Sequence, residues 1–206
     1  MRRLVITGTC LLLLATFVFF ASEPASHARL GRCRKPRIVV VKHSGKIELR
    51  CAGRLRLRAY ASFGAAPAGH KTRSGDERTP EGDYYVCEKH RSAKHHKFLG
   101  LSYPAPADAQ RARRAGRITG AQQRAIARAW ARRRCPPWNT KLGGAIGIHG
   151  IAPKLAWASR VWQRLSQATQ FHRIYGFTDG CIAVDNVHVD ALFKLAPVGT
   201  PVHIAP

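Results

Sequence analysis

In the stretch Thr178-Asp179-Gly180-Cys181-Ile182-Ala183, a cysteine follows a glycine in what we interpret as a tight turn. Ile148-His149-Gly150 lies upstream of it. A thiol needs a base to become a nucleophile at neutral pH, and these two segments can supply such a pair. The rest of the sequence therefore bears on one question, which is whether Cys181 is reactive, paired in a disulfide or merely buried.

The expected chemistry depends on how close the histidine lies to the thiol. An unperturbed thiol has a pKa near 8.5, and a neighbouring imidazolium lowers that pKa by roughly two units. We therefore expect His149 to be the base and to lower the pKa of Cys181. The backbone N–H groups of Gly180 and Cys181 can converge on a developing oxyanion. A structural histidine at a strand end and an ordinary glycine turn around a buried cysteine are the alternatives.

The number of cysteines leaves one thiol without a partner. Beyond residue 28 the chain holds five cysteines, namely Cys33, Cys51, Cys87, Cys135 and Cys181. In an oxidising compartment four of them can close two disulfides. The sequence does not set the connectivity, and the simplest pairing is Cys33–Cys51 with Cys87–Cys135, which excludes Cys181.

The first residues are typical of an export signal. Arg2 and Arg3 precede an apolar run, and small residues around Ala28 resemble a signal peptidase site. We predict that 1–28 is a cleaved signal peptide, that 29–36 is a short linker and that the protein works in the periplasm or cell envelope. An uncleaved membrane anchor is the alternative, and membrane contact is expected only in that case.

The charge of the chain is strongly positive. Its 35 basic and 11 acidic side chains give a formal net charge of +24. Such a field favours a polyanionic environment, and for an exported protein anionic envelope polymers are the natural partner. A solvated basic surface is the alternative. The sequence shows no nucleic-acid-binding signature, so nucleic acid is not an expected partner.

Apolar periodicity predicts a mainly β fold with inserted helices, an α+β class. The predicted strands are 37–42 and 47–51, which form a hairpin, followed by 54–59, 84–88 and 199–204. The predicted helices lie within 108–134, with a break at 116–120 and Thr119 as a cap, and at 156–171 and 187–195. Nine arginines lie between Arg111 and Arg134, and we interpret them as solvated helix faces.

Several motifs occur in a fixed order along the chain. They are Gly75-Asp76-Glu77-Arg78-Thr79-Pro80-Glu81-Gly82, Leu101-Ser102-Tyr103-Pro104 with Asp108, Gly143-Gly144-Ala145-Ile146-Gly147-Ile148-His149-Gly150, the cysteine stretch and Gly199-Thr200-Pro201-Val202. Over roughly residues 37–205 this set resembles the L,D-transpeptidase catalytic domain of YkuD type. The resemblance implies a β-sandwich or barrel-like domain at 37–206, with helical insertions near 108–134 and 154–172.

The resemblance also implies a role for each site residue. Cys181 would be the nucleophile, acylated by a peptidoglycan stem peptide, and His149 would be its base. The carbonyl of Gly150 would orient the other ring nitrogen, and Thr178 would lie beside the catalytic pair. The amides of Gly180 and Cys181 would form the oxyanion hole. A terminal D-alanine would leave, and an amine would accept the acyl group. No metal or organic cofactor is implied, and we expect a monomer.

Two residues depart from the family pattern. Asp179 stands where some members carry histidine, and Ala183 where many carry arginine. The stretch between His149 and Thr178 is also longer than usual. These differences leave the acceptor open, so an L,D-peptidase or amidase that hydrolyses crosslinks or lipoprotein attachment is a second hypothesis. A non-catalytic basic envelope-binding module, with its cysteines in disulfides, is a third.

Overall fold

A computed structural model of the chain describes residues 31–151 and 178–206. The strands are β1 Pro36–Val41, β2 Lys46–Cys51, β3 Arg54–Tyr60, β4 Gly82–Ser92, β5 His96–Leu101, β6 Gly147–His149, β7 Ile182–Ala183 and β8 Pro201–Ala205. The helices of this part are α1 Pro106–Arg114, α2 Gly120–Ala131 and α3 Asn186–Leu195. The predicted signal peptide and the predicted helix at 156–171 lie outside the described residues.

The described strands form an eight-stranded sheet in the order β3-β2-β1-β8-β4-β5-β6-β7. Strand β8 runs parallel to β1 and antiparallel to β4, so it joins the N-terminal hairpin to the rest of the sheet. At the other edge β5 pairs antiparallel with β6, and β6 pairs parallel with β7. The prediction of a mainly β fold with inserted helices is confirmed.

Alternating apolar residues explain why the N-terminal strands lie where they do. Ile38 and Val40 of β1 and Ile47 and Leu49 of β2 are fully buried, and they alternate with polar or half-buried neighbours. A period of two places these four side chains on one face of the sheet. Each contributes about 1.5–3 kcal/mol of hydrophobic free energy on burial, which fixes the register of the hairpin.

Helices α1 and α2 lie between β5 and β6, in the region near 108–134 where a helical insertion was predicted. The Thr119 hydroxyl accepts the Gln122 N–H at 3.2 Å, and the Gln122 side chain accepts the Thr119 N–H at 2.9 Å, as in a capping box. The predicted end near Arg134 is about three residues late. Helix α2 ends at Ala131, and Arg133 adopts a φ of +55°, which α-helical backbone does not allow.

The inserted helices enclose a small apolar cluster of their own. It contains Ala109, Ala112, Ile118, Ile126 and Leu142, with Trp130 packed against it. The Trp130 indole N–H donates to the Ser102 carbonyl at 2.7 Å, and its ring lies 5.0 Å from that of Tyr85. The insertion is thereby fixed to the sheet. We call residues 106–134 the arginine hairpin.

The described cysteines pair as the simplest arrangement predicted. Cys33 bonds to Cys51 at the end of β2, and Cys87 of β4 bonds to Cys135 after α2. Cys181 is free. Among the described helices, none is both long and apolar enough to cross a bilayer.

Candidate active site

The turn before β7 has a backbone that only glycine adopts easily. Gly180 has a φ of +123°, and a Cβ atom placed there would lie 2.5 Å from the carbonyl oxygen of Arg78. A side chain would therefore meet both backbone strain and a fixed backbone atom. The positive φ agrees with the predicted tight turn, and the packing against Arg78 is a second reason why glycine is required here.

The Thr178 side chain closes this turn from within. Its hydroxyl donates to the Cys181 carbonyl at 2.7 Å and accepts the Gly180 N–H at 3.2 Å. Thr178 therefore shapes the backbone on both sides of Asp179. The Gly180 amide, expected as an oxyanion donor, is bonded to Thr178 in this resting geometry.

The turn at residues 178–181, which we call the cysteine turn, is hydrogen-bonded to the loop that precedes β4. The Ala65 N–H donates to the Thr178 carbonyl at 3.0 Å, and Ser62 and Ala183 exchange two backbone hydrogen bonds of 2.9 Å. Asp76 organises that loop by accepting hydrogen bonds from the Lys71 ammonium and from backbone N–H groups, including that of Thr72. Burial alone would raise the pKa of Asp76, but these donors lower it to about 2.

His149 ends strand β6 in a buried position. Only 6% of its surface is exposed, its ring centre lies 4.2 Å from that of His95, and it is stacked on Phe98. Its Nδ1 atom lies 2.6 Å from the Gly150 carbonyl oxygen. A carbonyl can only accept, so Nδ1 carries the proton and Nε2 has a free lone pair when the ring is neutral. Gly150 thus orients the imidazole as expected.

The parallel pairing of β6 and β7 brings the cysteine turn beside this histidine. Ile148 of β6 pairs with Ile182 of β7. Cys181, the residue just before β7, therefore lies opposite Gly147, the first residue of β6. The Gly147 N–H donates to the thiol, and Sγ lies 3.5 Å from the Ala145 carbonyl oxygen. Because alternate residues of a strand share a face, His149 lies on the same face of the sheet as Cys181, on the neighbouring strand.

Burial sets the protonation states of both groups. Loss of hydration lowers the pKa of His149 to about 4, although its hydrogen bond to Gly150 acts in the opposite direction. Burial likewise raises the pKa of the Cys181 thiol, against the effect of the Gly147 N–H, and the Asp179 carboxylate raises it further. The resting pair is a neutral thiol and a neutral imidazole. The expectation of an imidazolium that lowers the thiol pKa is therefore wrong for the resting site, because desolvation disfavours both charged forms.

Asn186 is a site residue that the sequence did not indicate. Its Oδ1 accepts the Ile151 N–H at 2.7 Å, and its Nδ2 donates to the Ile151 carbonyl at 3.0 Å. A Cβ at Gly150 would lie 2.4 Å from the same Oδ1. Helix α3 therefore holds the chain directly after His149. The N-cap residue of α3 is Asp185, which directly precedes Asn186.

The two departures from the expected pattern occupy different environments. Asp179 is exposed at the tip of the turn. Ala183 is 8% exposed and pairs with His149 on one side and Ser62 on the other. Within 31–151 and 178–206 no group of three His, Cys, Asp or Glu side chains is arranged to hold a metal ion.

Comparison with known proteins identifies a matching family. Residues 35–204 match the YkuD family, described as the L,D-transpeptidase catalytic domain. No protein with a curated description is significantly similar to the chain in sequence.

Several solved structures are similar to the chain at low identity. The K307A mutant of the helical cell shape determining protein Pgp2 from Campylobacter jejuni is 16% identical, with a TM-score of 0.50, over 82% of this chain and 46% of that one. Bd1075 from Bdellovibrio bacteriovorus is 17% identical, with a TM-score of 0.48, over 83% of this chain and 48% of that one. The C442S mutant of the Enterococcus faecium L,D-transpeptidase is 14% identical, with a TM-score of 0.44, over 83% of this chain and 50% of that one. The chain spans about half the length of these structures.

Proposed function

The chain belongs to the YkuD family of L,D-transpeptidase catalytic domains, and on that premise we propose that it is a cysteine L,D-transpeptidase acting on peptidoglycan stem peptides. One observation carries the proposal. A free thiol, Cys181, shares a face of the sheet with a buried imidazole whose Nδ1 is held by Gly150, which leaves Nε2 free to accept a proton. The reaction serves cell-wall crosslinking or remodelling.

In the first step Nε2 of His149 takes the Cys181 proton as Sγ attacks the carbonyl carbon of the L,D-peptide bond. The C–N bond then breaks, the imidazolium returns its proton to the departing D-alanine amine, and a thioester remains on Cys181. A neutral resting pair suits this sequence, because charge forms only as the bond to carbon forms. The positive imidazolium and the negative tetrahedral oxygen then arise together.

The proposed oxyanion donors are the backbone N–H groups of Cys181 and Gly180. The Gly180 N–H now bonds to the Thr178 hydroxyl at 3.2 Å, a long bond to a neutral acceptor. A charged oxygen is a stronger acceptor than a hydroxyl, so the tetrahedral intermediate would displace Thr178 from that amide. The bond from Thr178 to the Cys181 carbonyl, at 2.7 Å, keeps the turn in shape during this exchange.

In the second step an acceptor amine, such as that of a neighbouring diaminopimelate, attacks the thioester. His149 accepts the amine proton and passes it to the departing Sγ, which restores the thiol and leaves a new amide bond. Water in place of the amine would give hydrolysis, the second hypothesis. The exposed carboxylate of Asp179 lies at the tip of the cysteine turn, where it would favour a protonated amine at the rim.

The test is turnover of tetrapeptide muropeptides by the purified oxidised chain, followed by mass spectrometry. A 3-3 dimer or an exchanged terminal D-amino acid is expected from wild type and not from Cys181→Ala. The matched control is Arg56→Gln on β3, an exposed change at the far edge of the sheet. If a trimmed tripeptide were the only product, the protein would be a hydrolase rather than a transferase. Indistinguishable results from wild type and Cys181→Ala would overturn both.

A separate measurement addresses the non-catalytic module. That hypothesis placed the cysteines in disulfides, whereas Cys181 is free and the other four described cysteines are paired. Among the five cysteines beyond residue 28, a thiol reagent should therefore label only Cys181 in the native oxidised protein. A native protein in which Cys181 resists labelling would count against enzymatic activity.

A further inference from the structure

The arginine hairpin carries a concentration of positive charge that the transpeptidase chemistry does not use. All nine of its arginines are exposed, and residues 109–134 contain no acidic side chain. Two of the nine are engaged locally, because Arg111 pairs with Asp108 and Arg133 lies over the Tyr85 ring. The other seven make no ion pair with a described carboxylate.

Several of these arginines are arranged in a row. Arg124 and Arg128 of α2 and Arg132 at its C-cap follow one another at intervals of four residues, so they lie along the same side of the helix. Like charges at this spacing destabilise a helix by about 0.2–0.5 kcal/mol per pair. Repulsion between these arginines therefore destabilises α2 unless a bound anion neutralises their charge.

Guanidinium groups from both helices converge at one end of the row. The Arg124 Nη1 and Arg113 Nε atoms lie 3.3 Å and 3.9 Å from the point where a Gly120 Cβ would stand. These two arginines belong to different helices, so their approach follows from the packing of the hairpin. Two cations near one point, without a described carboxylate between them, form a place of high positive potential.

The other end of the row opens into a cleft. A cavity of about 360 Å³ is lined by Arg128, Arg132 and Arg134 together with Cys135, Pro136 and Pro137, and no acidic residue lines it. Arg128 belongs to α2, Arg132 is the residue that caps its C-terminus, and Arg134 lies in the segment after it. Three arginines, from the helix and from the segment that follows it, therefore line one volume.

The wall of this cleft is fixed before any ligand arrives. The Arg134 N–H donates to the Ala129 carbonyl at 2.9 Å, and its carbonyl accepts the Tyr85 hydroxyl at 3.0 Å. The next residue, Cys135, is bonded to Cys87 of β4. A site of this kind loses little backbone entropy on binding.

We propose that this row and cleft bind a linear polymer that bears repeated phosphate groups. Guanidinium groups pair with carboxylate and with phosphate. A carboxylate presents two oxygens in one plane, whereas a phosphate presents oxygens in several directions, which suits three arginines around one volume. The row continues the site over about 12 Å, the rise of eight helical residues, so it takes successive anionic groups of a chain.

The experiment measures binding of short-chain inorganic polyphosphate to the full oxidised chain at increasing salt concentration. The test variant is Arg128→Gln/Arg132→Gln/Arg134→Gln, since glutamine preserves helix propensity. The matched control, Arg54→Gln/Arg56→Gln/Arg91→Gln, removes the same charge from exposed positions on β3 and β4. We expect the test variant to weaken binding by about tenfold or more and to reduce the salt slope by about two to three, with little change in the control.

Other outcomes distinguish a built site from a diffuse field. Equal losses in both triple variants would overturn the proposal, because total charge alone would then explain binding. A third variant, Arg128→Lys/Arg132→Lys/Arg134→Lys, should keep the salt slope but bind more weakly, since lysine lacks the planar fork. Equal binding of polyglutamate, or binding only to phosphatidylglycerol vesicles and not to polyphosphate, would also contradict it. Circular dichroism confirms that each variant is folded.

Discussion

The cysteine turn and the arginine hairpin differ in whether their ionisable side chains are charged and exposed to solvent. Around Cys181 and His149 burial removes charge from the resting state, and backbone hydrogen bonds from Gly147 and to Gly150 set the geometry. On the hairpin all nine arginines remain exposed to solvent, most of them without an ion pair to a described carboxylate, on a scaffold fixed by Trp130 and a disulfide. The first region should therefore respond to changes of geometry and pH, and the second to changes of charge and salt.

The largest expected effect comes from removing the base. His149→Asn keeps a donor near the Gly150 carbonyl but has no atom at the Nε2 position. Loss of general-base catalysis should lower the turnover of tetrapeptide muropeptides by about 10²–10⁴-fold, whereas polyphosphate binding should be unchanged. Mass spectrometry of the products and a binding titration check the two halves. If His149→Asn retained full turnover, the site would not depend on this imidazole.

The disulfides are expected to act unequally on the two regions. Cys87→Ser/Cys135→Ser opens a loop of 48 residues and should lower the free energy of unfolding by about 4 kcal/mol. Cys33→Ser/Cys51→Ser opens a loop of 18 residues and should cost about 3 kcal/mol. Urea unfolding measures both.

Hydrogen exchange locates the effects of those two pairs of substitutions. Faster exchange should be concentrated in α2 for the first pair and in β1 and β2 for the second. Uniform acceleration in both would show that the hairpin is not separately anchored.

The pH dependence of stability should reveal the buried imidazole. The pKa of His149 is about 4 in the folded chain against an ordinary 6.5, so between these values the unfolded chain binds more protons. Stability is thus fully present above pH 6.5 and falls as the pH drops towards 4, by about 3 kcal/mol. Urea unfolding across this range checks the slope. His149→Asn should lose that slope, and an unchanged slope would assign it to other groups.

A smaller effect is expected at the positioning residue Asn186. Asn186→Ala leaves the Ile151 N–H and carbonyl without their partner and should cost about 2 kcal/mol of stability. Because Asn186 holds the chain after His149, kcat should fall more than KM rises. Asn186→Asp keeps the acceptor oxygen and should recover part of kcat. A variant that lost stability with unchanged kcat would limit Asn186 to a structural role.

Local chemistry explains which features the sequence could predict. The hairpin of β1 and β2, the Thr119 cap and the turn around Gly180 each depend on residues near in sequence. The five cysteines beyond residue 28 predicted one unpaired thiol, and the simplest pairing of the other four left Cys181 as that thiol. The order of motifs then indicated the family, which the comparison confirms.

Features that depend on packing between distant segments could not be predicted in the same way. Strand β5 begins with His96 and Lys97 and follows a residue pattern without clear alternation, so it was missed. The role of Asn186 depends on helix α3 lying beside Ile151, 35 residues away in the chain. The pKa direction at His149 depends on burial beside His95 and Phe98, which no motif around the histidine records.

The disulfide between Cys87 and Cys135 affects what happens to the protein after proteolytic cleavage. An exposed hairpin rich in arginine offers many cleavage sites to trypsin-like enzymes, and Arg117 lies in the short connection between α1 and α2. A cut after Arg117 would leave Cys87 on one fragment and Cys135 on the other, so the disulfide would still join them. The nicked protein would migrate as one species without reductant and as two with it, and its arginine row would stay attached to the sheet that carries Cys181.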